Sequence, residues 1–258
     1  MDRTALSQPE PFSQRVRRGF NRRAESYDRH ARLQRAIAWR LARRLLTLPL
    51  PVGPGADLGA GTGLVGQSLV RQGWPHHLLQ LDASPELLAR NPLSGSHGSQ
   101  VWDLNRGLPP DLAGAALLTS SFALQWLEEP LMRLEQWCGA LAPAGWLGLA
   151  VPTAGSFPEW REAASRAQVP CTLLPLPAAE ALETRAQTLL ELKCSERMRF
   201  SLPCADGRTF LGQLKAIGAG STTAAPLAPG QLRRLLQHWP SSGVATWEVM
   251  LLVGQKRP

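Results

Sequence analysis

Three glycines at alternate positions, directly behind an acidic residue, constrain this chain more than any other feature. They are Gly59, Gly61 and Gly63, and Asp57 precedes them in the segment ADLGAGTG at residues 56–63. A turn of this kind between a strand and a helix lets the backbone approach a ligand closely and points free N–H groups at negative charge. Residues 57–63, here called the glycine loop, therefore predict a nucleotide-like cofactor in a Rossmann-like fold.

The spacing of the glycines distinguishes between two cofactors. A dinucleotide fingerprint requires a third glycine three residues after the second, whereas here Gly66 lies five residues after Gly61. The glycine loop therefore favours S-adenosylmethionine over NAD. Because glycines also close ordinary tight turns, the residues that follow have to support this interpretation.

Two later strand ends carry further acidic residues. An apolar run at residues 77–81 ends in Asp82, where Rossmann-like folds place the carboxylate that receives ribose hydroxyls. A third run ends at Asp103, which is suited to accept from an adenine amino group. The alternative is that these carboxylates only cap helices. The expected cofactor contacts are Asp57, Gly59, Ala60, Gly61, Gly63, Asp82, Ala83, Asp103, Leu104 and Ser120.

Length and composition exclude several classes. A chain of 258 residues can bury a large core without staples. Its four cysteines form no C-x-x-C pair and no metal spacing with histidine, so we expect no metal site and no disulfide framework. No run of 18 apolar residues occurs, and the N-terminus lacks the apolar core of a secretory signal. We therefore expect a cytoplasmic protein that does not bind a membrane.

Positive charge is concentrated near the N-terminus. The formal net charge is +8, and a field of this sign attracts nucleic acid, an anionic surface or an acidic carrier protein. Arginine-rich composition alone is the alternative, since the chain has only three lysines. The arginines before residue 45 are Arg3, Arg15, Arg17, Arg18, Arg22, Arg23, Arg29, Arg32, Arg35, Arg40, Arg43 and Arg44.

The order of the predicted elements defines the fold class. Residues 1–14 are polar and expected to be frayed, and helices follow at 15–46. Strands are then predicted at 55–58, up to Asp82, up to Val101, and at 115–120, 146–151, 197–202 and 247–253, with helices between them. We expect an α/β, Rossmann-like, doubly wound and mostly parallel seven-stranded sheet. The predicted segments are N-terminal helices at 1–48, a cofactor-binding half at 49–152, a helical lid at 153–192 and the rest of the sheet at 193–258.

Several segments together resemble one family, the malonyl-[acyl-carrier protein] O-methyltransferases of biotin synthesis, over nearly the whole chain. They include FNRRAESY at 20–27, HARLQ at 30–34, the glycine loop, LDASP at 81–85 and ALQW at 123–126. More discriminating are GSFPE at 155–159, LKAIGA at 214–219 and QHWP at 237–240. Thr62 and Ser121 depart from the family pattern.

The resemblance implies methyl transfer from S-adenosylmethionine to the free carboxylate of a malonyl thioester on an acyl carrier protein. It implies that Tyr27 covers the donor and that Gln125 and Trp126 border the transfer point. Arg22 is the candidate clamp for the malonyl carboxylate, and Ser156 and Lys215 are candidates for the pantetheine entrance. The basic N-terminal helix is then expected to bind the acidic carrier.

Other functions remain open from the sequence. A methyltransferase acting on a small molecule such as a quinone precursor is the nearest alternative. A nucleic-acid methyltransferase would suit the positive charge, but base methylation usually needs an Asn/Asp-Pro-Pro-aromatic loop where this chain has SSFA at 120–123. We therefore expect no nucleic-acid partner. A non-catalytic protein that only binds S-adenosylmethionine is a third possibility.

Overall fold

The computed structural model describes residues 10–257. The expected frayed start therefore lies largely outside the described residues. Seven strands form one sheet: β1 (Gly55–Leu58), β2 (Leu79–Asp82), β3 (Ser99–Val101), β4 (Ala115–Ser121), β5 (Leu141–Pro152), β6 (Leu190–Pro203) and β7 (Val244–Lys256). Their spatial order is β3-β2-β1-β4-β5-β7-β6.

Pairs among the first five strands are parallel, whereas β7 is antiparallel to both β5 and β6. The chain leaves β1 for β2 and β3 on one side and then returns to place β4 on the other side of β1. In such sheets a ligand binds where the strand order reverses, beyond the carboxyl ends of the strands. The predicted α/β, mostly parallel seven-stranded fold is confirmed.

Helices cover both faces of the sheet. They are α1 (Phe12–Arg23), α2 (Tyr27–His30), α3 (Arg32–Leu45), α4 (Leu64–Arg71), α5 (Pro85–Leu88), α6 (Pro130–Ala140), α7 (Pro158–Arg166), α8 (Ala179–Leu189), α9 (Gly207–Ala216) and α10 (Pro229–Gln237). Apolar side chains of α3, α4, α7, α9 and α10 pack into one buried cluster, and those of α6 and α8 into another. The sheet contributes to both clusters, so the fold has three layers.

Helix α3 shows how the N-terminal helices join this core. Its apolar residues recur at three- and four-residue spacing, so one face packs against the sheet and α4. Ile37, Leu41 and Leu45 on this face are fully buried. At Gly148 of β5, a Cβ atom would lie only 2.8 Å from Leu45 Cδ2, which shows how closely helix and strand approach each other. The start of α3 is thereby fixed beside the carboxyl ends of the strands.

The segment predicted as a lid, residues 153–192, is not one packing unit. Helix α8 belongs to the connection between β5 and β6. Its residues Leu182 and Ala186 are buried with Leu134 and Trp137 of α6, so α8 packs with α6 against the sheet. Only α7 and the stretch after it face a cavity, which is described below. A lid role for that part, and the division of the chain into four segments, remain predictions.

Three predicted boundaries were wrong. The helix expected to run to Glu191 ends at Leu189, and β6 begins at Leu190, well before the predicted start at Arg197. Along β6 half-buried and exposed residues alternate, which is the pattern of an edge strand and overrides local helix propensity. β5 likewise begins at Leu141 and contains the predicted turn at 143–145 as an irregularity in its pairing with β4.

Candidate active site

Two adjoining cavities lie beside the point in the sheet where the strand order reverses, between β1 and β4. The first is bordered by the glycine loop, by the ends of β2 and β3, and by α1. The second is bordered by α7, α9, the stretch 172–176 and the loop 219–222. Both cavities share five lining residues, which are Phe20, Tyr27, Gln34, Phe122 and Trp126. The two cavities therefore meet at a largely aromatic wall.

The glycine loop is held in its turn by the neighbouring strand. The N–H groups of Gly59 and Ala60 both donate to the carbonyl of Leu81, each at 2.8 Å. Gly59 has a φ of 72°, in the left-handed region that glycine tolerates best. A Cβ atom there would lie 2.2 Å from Cβ of Ala123, which lines the first cavity. Glycine is thus required both for the conformation and for the space beside the cavity.

Asp82 is oriented by backbone donors before any ligand arrives. The Gly61 N–H donates to Oδ2 at 2.8 Å and the Ser84 N–H to Oδ1 at 2.7 Å. Burial nevertheless raises the pKa of Asp82 to about 6, although these N–H groups lower it in part. Each oxygen keeps acceptor capacity on the cavity side. This is the arrangement expected of a carboxylate that accepts from a ribose.

Asp57 is the second buried carboxylate of the first cavity. It is 1% exposed, and its Oδ2 atom has no hydrogen-bond partner among residues 10–257. Burial raises its pKa to about 7; the Gly66 N–H lowers the pKa in part, and the charge of Asp82 raises it further. A buried carboxylate with a free oxygen is suited to a cationic ligand. The residues present therefore fit S-adenosylmethionine, which carries an ammonium and a sulfonium.

The third strand end provides the remaining predicted contacts. Asp103 and Leu104 both line the first cavity. Asp103 Oδ1 also accepts from the Asn105 N–H at 2.9 Å, at the start of a short 3-10 helix. The capping role considered from the sequence is therefore real and leaves Oδ2 for a ligand.

Tyr27 stands on the wall between the cavities. Phe20 contacts both Tyr27 and Trp126 edge to face, with ring centroids 6.3 and 5.6 Å apart. Burial raises the pKa of Tyr27 above its ordinary value, and the charges of Asp82 and Asp28 raise it further. The hydroxyl therefore stays protonated at neutral pH, where it can donate a hydrogen bond but cannot act as a base.

A side-chain hydrogen bond ties the N-terminal helices to the glycine loop. Thr62 Oγ1 donates to Asp28 Oδ1 at 2.8 Å. Asp28 is in α2, directly after Tyr27, and its carbonyl accepts from Arg35 of α3 at 2.9 Å. Thr62, which departs from the family pattern, thus takes part in holding Tyr27 beside the cofactor cavity.

Not every predicted residue reaches the first cavity. Gly63 caps α4 at a φ of 80°, and a Cβ there would meet Asn91 Oδ1 at 2.3 Å. Ser120 is fully buried and donates to the Leu58 carbonyl at 2.7 Å, while the next residue, Ser121, lines the cavity instead. Side chains alternate along a strand, so the prediction fell one position early on β4.

The predicted substrate residues are dispersed. Gln125 and Lys215 line the second cavity. Ser156 is fully buried and exchanges hydrogen bonds with the backbone of Glu248, so it lies in the fold and not at an entrance. Arg22 is exposed and lines neither cavity. Two positions along a helix differ by about 200°, so Arg22 points away from the side on which Phe20 faces the cavities.

Sequence reasoning missed two residues of the site. Gln34 lines both cavities and Arg17 lines the first. Gln34 lies within the HARLQ segment already singled out, and a glutamine on the apolar face of a predicted helix is the signal that could have identified it. Arg17 belongs to the basic N-terminal helix that was expected to bind an acidic carrier, and no signal in the sequence placed its side chain at the first cavity.

The second cavity is almost devoid of ionisable groups. Among its described lining residues the only ionisable side chains are those of Tyr27 and Lys215, and Asp, Glu, His and Cys are absent. Its wall is formed mainly by large apolar residues, among them Trp160, Phe210 and Trp247. The described lining of the second cavity therefore offers no carboxylate, imidazole or thiol as a general base, and the carboxylates of Asp57 and Asp82 line the first cavity instead.

Residues 10–257 contain no group of three or more His, Cys, Asp or Glu side chains that could hold a metal ion. None of the helices within these residues has the length and apolar character needed to cross a bilayer. Location in the cytoplasm remains a prediction.

Comparison with solved structures shows which fold the chain shares. The chain superposes on YcgJ from Bacillus subtilis with a TM-score of 0.58 at 13% identity, covering 86% of this chain and 99% of that one. It also superposes on Haemonchus contortus phosphoethanolamine N-methyltransferase 2 in complex with S-adenosylhomocysteine, with a TM-score of 0.55 at 15% identity, covering 97% and 61%. The fold is that of a class I methyltransferase.

Comparison with curated proteins defines the family. The chain is 30% identical to the malonyl-[acyl-carrier protein] O-methyltransferase of Magnetococcus marinus over 86% of its length and 84% of the relative. It is 31% identical, over 88% of its length, to the biotin biosynthesis bifunctional protein BioCD of Bordetella avium, of which it spans about half (49%). No family model matches the chain. The chain belongs to the malonyl-[acyl-carrier protein] O-methyltransferase family, and the predicted class and cofactor, S-adenosylmethionine, are confirmed.

Proposed function

We propose that this protein methylates the free carboxylate of a malonyl group carried on an acyl carrier protein, an early step in the synthesis of biotin. The single observation that carries the proposal, beyond family membership, is the absence of a base among the described lining residues of the second cavity. An alcohol, phenol or carbon acid would have to lose a proton before attack. A carboxylate is already ionised at neutral pH and has no proton to lose.

The residues of the site have three tasks in this reaction. The glycine loop, Asp82 and Asp57 bind the methyl donor, and Tyr27 and Trp126 border the point where the cavities meet. When bound, S-adenosylmethionine supplies the methyl group: an O–CH₃ bond forms as the C–S bond breaks, and the electron pair stays on sulfur. The aromatic wall excludes water from the carboxylate oxygen, and alignment and desolvation supply the acceleration.

The basic end of α1 fits the carrier. Arg22 and Arg23 are exposed in the last turn of α1, and none of the described acidic residues forms an ion pair with either. The same helix places Phe20 in both cavities, so these arginines flank the site. We expect Arg22→Glu to raise the KM for malonyl-loaded carrier roughly threefold at low salt and much less near 1 M salt. Arg43→Glu on the far end of α3 is the matched control, and both variants should use malonyl-pantetheine like the wild type.

The proposal is tested by product formation. The purified protein is incubated with methyl-labelled S-adenosylmethionine and malonyl-loaded carrier, with acetyl-loaded carrier as control. Label that appears as a methyl ester only with the malonyl carrier supports the proposal. Absence of any ester, or equal labelling of the acetyl carrier, contradicts it.

A further inference from the structure

Gln34 is a buried amide that the fold leaves without a partner. It lies in the first turn of α3, is 6% exposed, and lines both cavities. No hydrogen bond joins its side chain to any residue in the described range 10–257. Its amide atoms are not among the fully enclosed unpartnered atoms, so they open on the cavities, where a ligand or water can complete their hydrogen bonds.

The other two buried glutamines of the described residues are each bonded by the fold, Gln80 at both ends of its amide and Gln125 at one. Gln80 donates to the Leu78 carbonyl at 2.7 Å and accepts from Asn91 at 2.9 Å. Gln125 donates to the Phe122 carbonyl at 2.7 Å, while its Oε1 atom has no partner among residues 10–257. Gln34 differs from both in that neither end of its amide is bonded within this range, so the whole amide is available to a ligand in the cavities.

The position of Gln34 identifies the part of the ligand that it faces. Of the five residues shared by both cavities, the other four are aromatic. The side chains of these five residues carry three polar groups, which are the Gln34 amide, the Tyr27 hydroxyl and the indole N–H of Trp126. The nearest cations lie on one side each, because Arg17 lines only the first cavity and Lys215 only the second. The junction thus presents neutral hydrogen-bond donors to whatever reacts there.

We infer that the Gln34 amide donates a hydrogen bond to the acceptor's carboxylate and so selects acyl chains that end in a free carboxylate. This inference rests on the proposed function. An arginine would form a bidentate ion pair with both oxygens and stabilise the charge that has to attack. A neutral amide fixes one oxygen and leaves the other available for the methyl group.

Binding measurements test the inference without turnover. Isothermal titration of the S-adenosylhomocysteine complex should show that wild type binds malonyl-pantetheine about tenfold or more tightly than acetyl-pantetheine, the effect of one hydrogen bond to a charged group. At saturating S-adenosylhomocysteine, Gln34→Met should abolish this preference without lowering the unfolding midpoint. Absence of a malonyl preference in wild type, or a preference retained in Gln34→Met, overturns the inference. If the preference exists but no methyl ester forms, the proposed function fails and the assignment of Gln34 as a carboxylate-binding residue stands.

A charge variant separates recognition from packing. Gln34→Glu has nearly the shape of the native side chain, but its carboxylate repels an acidic acceptor. We expect kcat/KM of Gln34→Glu for malonyl-pantetheine, relative to wild type, to rise as pH falls from about 8 to about 6, because the introduced carboxyl group can donate again once it is protonated. The ratio for Gln34→Met should stay level over this range. Equal pH profiles for the two variants would show that Gln34 only fills space.

Discussion

The glycine loop allows two effects of a glycine to be separated by experiment. Gly59 and Gly73 both have left-handed backbones, with φ of 72° and 84°. A Cβ at Gly73 would have no heavy atom within 4 Å, whereas one at Gly59 would lie 2.2 Å from Ala123 Cβ. Carbon atoms pack at about 3.5–4.0 Å, so Gly59→Ala requires a displacement of roughly 1.5 Å at the wall of the first cavity.

The two substitutions should therefore share one cost and differ in another. Both place alanine in the left-handed region, which lowers the free energy of unfolding by about 1–2 kcal/mol. Only Gly59→Ala moves the cavity wall, and we expect its Kd for S-adenosylhomocysteine to rise about tenfold or more. Ligand at about 100 times the wild-type Kd stabilises the wild type by about 2.7 kcal/mol, and a tenfold weaker Kd reduces this to about 1.4 kcal/mol.

Urea unfolding with and without S-adenosylhomocysteine measures both quantities in one series. Gly73→Ala should lose stability equally in both conditions, because it leaves the cavity unchanged. Gly59→Ala should lose more in the presence of ligand than in its absence. If Gly59→Ala is stabilised by the ligand as much as wild type, the donor does not bind against this wall and the glycine loop is only a turn.

Two further predictions concern the same cavity. Because burial raises the pKa of Asp57 to about 7 and the ammonium that S-adenosylhomocysteine shares with the donor favours its ionised form, the Kd for S-adenosylhomocysteine should be about tenfold weaker at pH 6 than at pH 8. Titration calorimetry of wild type and Asp57→Asn checks this, and an unchanged slope in the variant would exclude Asp57 as the source. In the ligand-free protein the raised pKa acts in the opposite direction: the contribution of Asp57 to stability is complete below its ordinary pKa of 3.8 and is lost as pH rises through about 7. Thr62→Val removes the hydrogen bond to Asp28 and should lower the free energy of unfolding by about 1 kcal/mol and speed donor release, whereas Asp28→Asn, which keeps an acceptor, should change little. Stopped-flow release of the donor distinguishes the two variants, and identical rates would show that α2 is held by packing alone.

The parts of the site that could be predicted from sequence are those in which a few consecutive residues determine the conformation. The glycine loop, Asp82 and Asp103 each lie at the end of a strand, where the local pattern fixes both the turn and the direction of the side chain. Their placement around one cavity then follows from the parallel sheet, since the carboxyl ends of its strands meet at one edge. Gly63 and Ser120 belong to the same segments, but Gly63 packs against Asn91 and Ser120 donates to the Leu58 carbonyl, contacts that the local pattern does not contain.

The acceptor side could not be predicted in the same way because it is assembled from distant elements. Phe20, Phe122, Phe157 and Phe210 come from four parts of the chain and meet only after α1, α7 and α9 have packed beside the sheet. Arg22 was chosen for its charge, which is sensible for a carboxylate in water. In a cavity whose shared wall is aromatic, however, an unpaired guanidinium would cost far more to bury than a neutral amide. The cost of desolvation therefore favours Gln34 over Arg22 at the point where the cavities meet. Arg22 and Arg23 remain exposed at the end of α1, where they are suited to bind a carrier.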